Sequence, residues 1–197
     1  MSSGQLQLAD QLATLVHQYR AAGQFAQLRT ALQAVARSAT PDALVIAAEE
    51  FREDPAAAAP IYEVIVDTQP GNARALVVLA NAYWLLGTGP EVVEDLANRA
   101  ISIDPANRGA WHLWALSESN PRLRTNRWHQ VTERFAGDEL ALANLADNAA
   151  AVAGAEKDYE MLDLAVAAYE SLLSRAQETS QRIAVETALQ ALKGWKF

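Results

Sequence analysis

Apolar residues recur along this chain at helical spacing, and one short pattern of them appears five times. Each copy places two apolar residues three positions apart, with a small residue directly after the second; three copies add an aromatic residue three positions further on. The small residues are 32, 32, 35 and 31 positions apart: Val16, Ala48, Ala80, Ala115 and Ala146. A period of this length is typical of stacked helical repeats. We therefore predict an all-α solenoid without a β-sheet.

Prolines and glycines divide the pattern into pairs of helices. Gly23 is suited to the end of the first helix, and Pro41 to the first turn of a new one. The predicted units are 5–40, 41–71, 72–106, 107–137 and 138–177, followed by a helix within 178–197. Because the ends of a repeat array expose apolar faces, we expect this last helix to cap a single domain that comprises 1–197.

The fourth unit departs from the pattern. Trp111 and Trp114 open it, and we expect both rings in the core. Glu118 stands where other units have an aromatic or a small residue. Apolar residues are sparse afterwards, so the second helix of this unit is predicted only within 126–135.

The spacing resembles that of the tetratricopeptide repeat family over most of residues 5–176. That family places large apolar, small and aromatic residues at fixed positions of two antiparallel helices, and a proline at the end of the unit. The third unit fits best, through Leu76, Leu79, Ala80, Tyr83, Ala100 and Pro105. The resemblance implies about five antiparallel helix pairs in a right-handed superhelix. It also implies a concave groove, lined by the first helix of each pair, that binds an extended peptide or a helix.

Carried over by position, the resemblance implies a groove lined by residues of each first helix, His17 among them. Seven of these are the predicted partner-binding residues: Val45, Glu49, Val77, Asn81, Trp84, His112 and Leu113. Trp84 follows the inward Tyr83, so we expect it to point about 100° around the helix, toward the concave side. The lining suits an amphipathic helix or a hydrophobic peptide with basic residues. Alternatively, its apolar residues pack within the chain, under its own tail. Chaperone-binding members clamp a carboxylate with lysines and asparagines, but only Asn81 fits that set here.

The charge of the chain is uneven. The formal net charge is −8, with acids concentrated in 41–70 and 136–178, and a small basic stretch between them: Arg122, Arg124, Arg127 and Arg134. An acidic chain repels phosphate backbones, so we expect a protein partner and no nucleic acid. No apolar run is long enough to cross a bilayer, and the first residues do not resemble a leader, which predicts a cytoplasmic protein.

Candidate chemistry is sparse. The chain has no cysteine, and none of its histidines (His17, His112 and His129) lies one helical turn from another. It has neither a phosphate-binding glycine loop nor a serine-nucleophile motif. We therefore predict no catalysis, no cofactor and no metal site.

The predicted function is that of a non-catalytic adaptor or assembly scaffold that holds a protein segment in its groove. The alternative is a structural subunit that buries the same groove permanently in a larger complex. The basic and aromatic end of the chain, 192–197, has three possible fates: it lies in the groove, docks on a neighbouring molecule or frays. The sequence leaves the partner and the oligomeric state open.

Overall fold

A computed structural model describes the backbone of residues 3–197 and the side chains from Leu6 onward. The expectation about a leader rests on residues 1–5 and so lies outside the described side chains. Within the described part, the chain forms α-helices, one 3-10 turn and no strand. The helices are α1 (Ser3–Ala21), α2 (Phe25–Ser38), α3 (Pro41–Ala48), α4 (Pro55–Thr68), α5 (Ala73–Leu86), α6 (Pro90–Ile103), α7 (Arg108–Leu116), α8 (Pro121–Arg134), α9 (Glu139–Glu156), α10 (Tyr159–Arg175) and α11 (Thr179–Lys193). The predicted all-α helical repeat is confirmed.

The helices are grouped into two compact units, Met1–Leu113 and Trp114–Phe197. In the first unit, α1 packs on α2 and α3, while α4 packs on α2 and α5. In the second unit, α9 packs on α8 and α10, and α11 packs on α10. The buried side chains of α11 include Val185 and Leu189, so this helix covers the apolar face of α10 as a cap would.

Small residues explain how closely the paired helices approach. The alanines that recur in the pattern are fully buried: Ala48, Ala80, Ala115 and Ala146. Val16, at the equivalent place in the first pair, is only half-buried. Large side chains between these contacts fill the core, for example Leu76 and Val93. The repeat therefore alternates close helix crossings with layers of large apolar residues.

Two helix ends differ from the prediction. The first helix of the second pair changes to a 3-10 turn at Glu49–Phe51, just before Pro55 opens the next helix. Helix α8 begins at Pro121, five residues earlier than expected. Asn120 caps it, because its side chain accepts a 3.1 Å hydrogen bond from the amide of Leu123. Asparagine at the N-cap followed by proline at the first helical position favours the start of a helix. Helix α8 therefore begins at this point although few of its residues are apolar.

The expectation that Trp111 and Trp114 lie in the core is wrong. Both are half-buried, and the indole nitrogen of Trp111 donates a 3.0 Å hydrogen bond to the carbonyl of Pro105. The fully buried tryptophan is Trp128, on α8. Its apolar neighbour in the sequence pattern, Val131, is buried with it. The buried tryptophan of the fourth pair thus comes from its second helix.

Candidate partner-binding surface

Side-chain contacts connect the first helices of successive pairs in the first unit. Arg74, in the first turn of α5, forms an ion pair with Glu49 at the end of α3. Further along, a β-carbon placed on Gly109 of α7 would lie only 3.2 Å from Cγ1 of Val77 on α5. Glycine at this position lets α7 approach α5 closely. These contacts hold the side chains of α3, α5 and α7 next to each other.

One face of α5 carries the largest exposed apolar side chains of this region. Four residues share one side of this helix because of their spacing, and we call them the α5 surface: Val77, Asn81, Trp84 and Leu85. Trp84 is 38% exposed and Leu85 is 61% exposed. The preceding Tyr83 points the other way and is half-buried, as the sequence predicts. Tryptophan is one of the residues enriched at the hot spots of protein interfaces.

A cavity of about 540 Å³ lies between α1 and the 3-10 turn that follows α3. Ala13 and His17 line one side of it, while Glu50 and Phe51 line the other. Beside it, Arg20 forms an ion pair with Asp54, the N-cap of α4. The cavity therefore has apolar walls with the carboxylate of Glu50 at its edge. His17, which the resemblance places in the groove lining, is at the wall of this cavity.

The predicted groove residues have different environments. Val45 and Val77 are half-buried, as is Glu49 in its pair with Arg74, while Asn81 is exposed. His112 is half-buried on α7. Leu113 is only 4% exposed, so it belongs to the core and cannot line an accessible groove. That assignment requires correction, because α7 turns this side chain inward.

In the first unit, side chains from three helices, α2, α4 and α5, meet at one carboxylate. Glu63 of α4 accepts hydrogen bonds from Arg29 (2.6 and 2.7 Å), from Gln33 (2.6 Å) and from the hydroxyl of Tyr83 (2.5 Å). Burial and the hydrogen bond to Glu63 together raise the pKa of Tyr83 to about 12. A carboxylate with this many donors fixes the relative positions of α2, α4 and α5. Glu63 thereby helps to hold α5, and with it the α5 surface, in position.

The basic stretch of the second unit is engaged in contacts within that unit. Arg122 forms ion pairs with Glu156 and Asp158. The pKa of the Asp158 carboxyl is lowered, chiefly by the guanidinium of Arg122 and to a smaller extent by backbone amides that donate hydrogen bonds to it. Arg124 donates a 2.7 Å hydrogen bond to the side-chain oxygen of Asn148. Arg122 and Arg124 therefore connect α8 to α9 and its C-terminal end, and the charge of Arg122 is balanced by carboxylates.

A buried ion pair explains the departure at Glu118. Its carboxylate lies 3.0 Å from the guanidinium of Arg127, and both side chains are largely buried. Arg127 also donates a 2.7 Å hydrogen bond to the carbonyl of Trp114 and lies 4.7 Å from the centroid of its ring. A charged pair thus stands at a position where three other copies of the pattern have an aromatic residue, and its guanidinium lies over the ring of Trp114.

Comparison with solved structures decides the fold. TTC0263, described as a thermophilic TPR protein in Thermus thermophilus, is similar with a TM-score of 0.57 at 18% identity, over 93% of this chain and 99% of that one. A tetratricopeptide repeat protein from Parabacteroides merdae gives 0.54 at 14% identity, over 95% and 87%. The chain has a tetratricopeptide-repeat fold. MamA is also similar, with a TM-score of 0.61 at 15% identity, over 82% of this chain and 96% of that one.

No family model and no curated protein matches this chain. Across the residues that the structure describes, no group of three or more His, Asp or Glu side chains could hold a metal ion. Over the same residues, no helix has the length and apolar character needed to cross a membrane. What the tetratricopeptide-repeat fold does present is an exposed apolar face on α5 and a cavity beside α1.

Proposed function

We propose that this protein is a non-catalytic interaction adaptor or assembly scaffold, and that its first unit binds a peptide or a single helix of a protein partner. The observation that carries the proposal is the exposure of Trp84 together with Leu85 on the α5 surface. Water-exposed tryptophan on a helix held rigidly by its neighbours is the type of residue that dominates binding energy at protein interfaces. The fold contributes a framework in which partner-facing helices stand side by side.

The charges at the end of α3 and in the segment up to α4 indicate the chemistry of the partner. Glu49 is neutralised by Arg74, and Asp54 by Arg20. Apolar contacts with Trp84 should therefore set most of the affinity. Glu50, at the edge of the cavity beside α1, adds a negative charge that favours association with a basic residue. The partner that fits best is an amphipathic segment with a large apolar anchor and a basic flank, rather than a nucleic acid.

The alternative role, a structural subunit permanently built into a complex, is favoured by the high exposure of Leu85. A face buried permanently in a complex should make the isolated chain self-associate. An adaptor should instead sediment as one species over a wide concentration range. Sedimentation velocity between micromolar and several hundred micromolar chain distinguishes the two roles.

Photo-crosslinking in the source cells tests the proposal directly. A photo-reactive phenylalanine analogue at position 84 should crosslink a discrete protein species. The matched control is the same analogue at Ile103 of α6, which is 44% exposed and lies on a second helix. Crosslinking of one species from position 84 and not from 103 supports the proposed surface. Equal products from both positions, or none from 84, would contradict it.

A further inference from the structure

Residues 194–197 leave α11 and lie back on the second unit. The indole of Trp195 covers Gly154 near the end of α9, so that a β-carbon on this glycine would lie 3.1 Å from Cη2 of the ring. The hydroxyl of Tyr159 accepts a 3.0 Å hydrogen bond from the amide of Phe197 and donates one of 3.1 Å to its carbonyl. The rings of Tyr159 and Phe197 also meet edge to face, with centroids 5.2 Å apart. The segment therefore does not lie against the predicted partner-binding residues of the first unit but docks on the second unit of its own chain.

The docking site is specific for the shape of the two aromatic side chains. Gly154 lies within a helix, where glycine is unfavourable, and its missing side chain makes the space that Trp195 fills. Trp195 and Phe197 contact each other edge to face at 5.8 Å, so the two rings bind as one unit. Lys196 between them is exposed, and the residue at this position is therefore free to vary. The docked residues thus have the pattern Trp-x-Phe.

The docked segment is held loosely. Trp195 is 37% exposed and Phe197 is 39% exposed. A cavity of about 440 Å³ remains beside them, lined by both rings and by Gly154. Two aromatic contacts and the hydrogen bonds of Tyr159 are few compared with the packing of a core helix. Segments with so few buried contacts open locally at low free-energy cost.

We propose that the cleft beside Gly154 and Tyr159 is a binding site for a Trp-x-Phe peptide segment. Residues 195–197 occupy it in cis and keep it closed, and a partner protein that carries a Trp-x-Phe segment displaces them. Trp195 marks the position of the partner's indole over Gly154. Phe197 marks the position of the second ring against Tyr159. This is a second interaction site, in the second unit, with its own ligand chemistry.

The test uses the full chain with the double substitution Trp195→Ala and Phe197→Ala, which vacates the cleft. The probe is a labelled peptide with the sequence of residues 192–197. We expect saturable one-to-one binding to the double variant. Because a tethered segment competes at an effective concentration on the order of millimolar, a peptide with an affinity of about 100 μM should bind the unaltered chain about tenfold more weakly. A peptide with both aromatic residues replaced by alanine should not bind either chain.

Adding Gly154→Val to the double variant provides the matched control. The valine side chain would occupy the space of the indole, so peptide binding should be lost while circular dichroism stays unchanged. Absence of saturable binding to a folded double variant would overturn the proposal, as would equal binding with and without Gly154→Val. If the double variant does not fold, nuclear Overhauser contacts between the rings of Tyr159 and Phe197 are followed in the unaltered chain instead. They should weaken as excess peptide is added, and contacts that persist unchanged at saturating peptide would also overturn the proposal.

Discussion

Arg29 and Glu63 lie 34 positions apart in the sequence and are joined by two hydrogen bonds of 2.6 and 2.7 Å. The interval is close to one repeat, so the pair connects equivalent helices of two successive repeats, α2 and α4. Arg122 and Glu156 in the second unit have the same interval, with a shortest distance of 2.6 Å. Ion pairs between successive repeats thus supplement the apolar core in both units.

Tyr83→Phe tests the junction at Glu63. The substitution removes one hydrogen bond to a carboxylate and leaves the ring in place. A hydrogen bond to a charged group contributes about 1.5–3 kcal/mol, so the free energy of unfolding should fall by about this amount in urea titrations.

The matched control is Tyr62→Phe in the same unit. Tyr62 is 3% exposed, and its hydroxyl has no hydrogen-bond partner within the part of the chain that the structure describes. Removing an unsatisfied hydroxyl should leave stability unchanged or raise it by about 1 kcal/mol. Equal destabilisation by both substitutions would show that the Tyr83–Glu63 bond has no special role.

The raised pKa of Tyr83 predicts that the folded chain loses stability at alkaline pH. Burial and Glu63 raise the pKa of Tyr83 from 10.0 to about 12. Below about pH 10 the phenol is neutral in both the folded and the unfolded chain, so its contribution is complete. Between about pH 10 and 12 the phenol ionises only in the unfolded chain, and stability declines. Chemical denaturation across this range should therefore show a smaller decline in Tyr83→Phe than in the unaltered chain. Parallel declines would contradict the prediction.

Ala80→Leu tests the close helix crossing of the third pair. Ala80 is fully buried, so the larger side chain should overpack the crossing and cost about 1–3 kcal/mol. Ala34→Leu adds the same atoms at an exposed position of α2 and should change stability by less than about 0.5 kcal/mol. Thermal melts of both variants measure the difference, and an unchanged melt for Ala80→Leu would mean that the crossing lies elsewhere.

Arg127→Met tests the polar pair of the second unit. The change keeps much of the side-chain volume but leaves the carboxylate of Glu118 buried without its main partner. Leaving a buried polar group unsatisfied costs about 1–3 kcal/mol, and more for a charge. Arg182→Met removes an exposed pair with Glu186 on α11 and should cost less than about 0.5 kcal/mol. Similar unfolding midpoints for the two variants would contradict the buried pair.

Much of the fold is predictable from the sequence because helical spacing of apolar residues is a local signal. The bounds of α5 follow from Asn72 and Gly87, which cap its two ends. The start of α8 is harder to predict because it depends on Asn120 and Pro121, and the helical surface that follows is mostly polar. The role of Glu118 is hidden for another reason: its partner Arg127 is nine positions away and meets it only when α8 folds back.

The candidate site is less predictable, because burial depends on neighbours as well as on register. Three apolar residues at equivalent repeat positions differ in burial: Ile46 is exposed, Val78 is half-buried and Leu113 is buried. Repeat position alone therefore does not separate Leu113 from the accessible residues. The exposure of Trp84 is predictable because Tyr83 beside it fixes the orientation of α5. The ion pairs one repeat apart are visible in the sequence as charges of opposite sign at an interval of 34 positions.

The binding role of the α5 surface is tested most directly by the affinity of the partner that position 84 crosslinks. Purified Trp84→Ala and Ile103→Ala variants remove exposed apolar side chains from α5 and α6, respectively. We expect both variants to fold. Trp84→Ala should lose about 2 kcal/mol of binding free energy or more, roughly a 30-fold rise in Kd, whereas Ile103→Ala should bind normally. Normal affinity of a folded Trp84→Ala variant, measured by calorimetry against the same partner segment, would contradict this prediction.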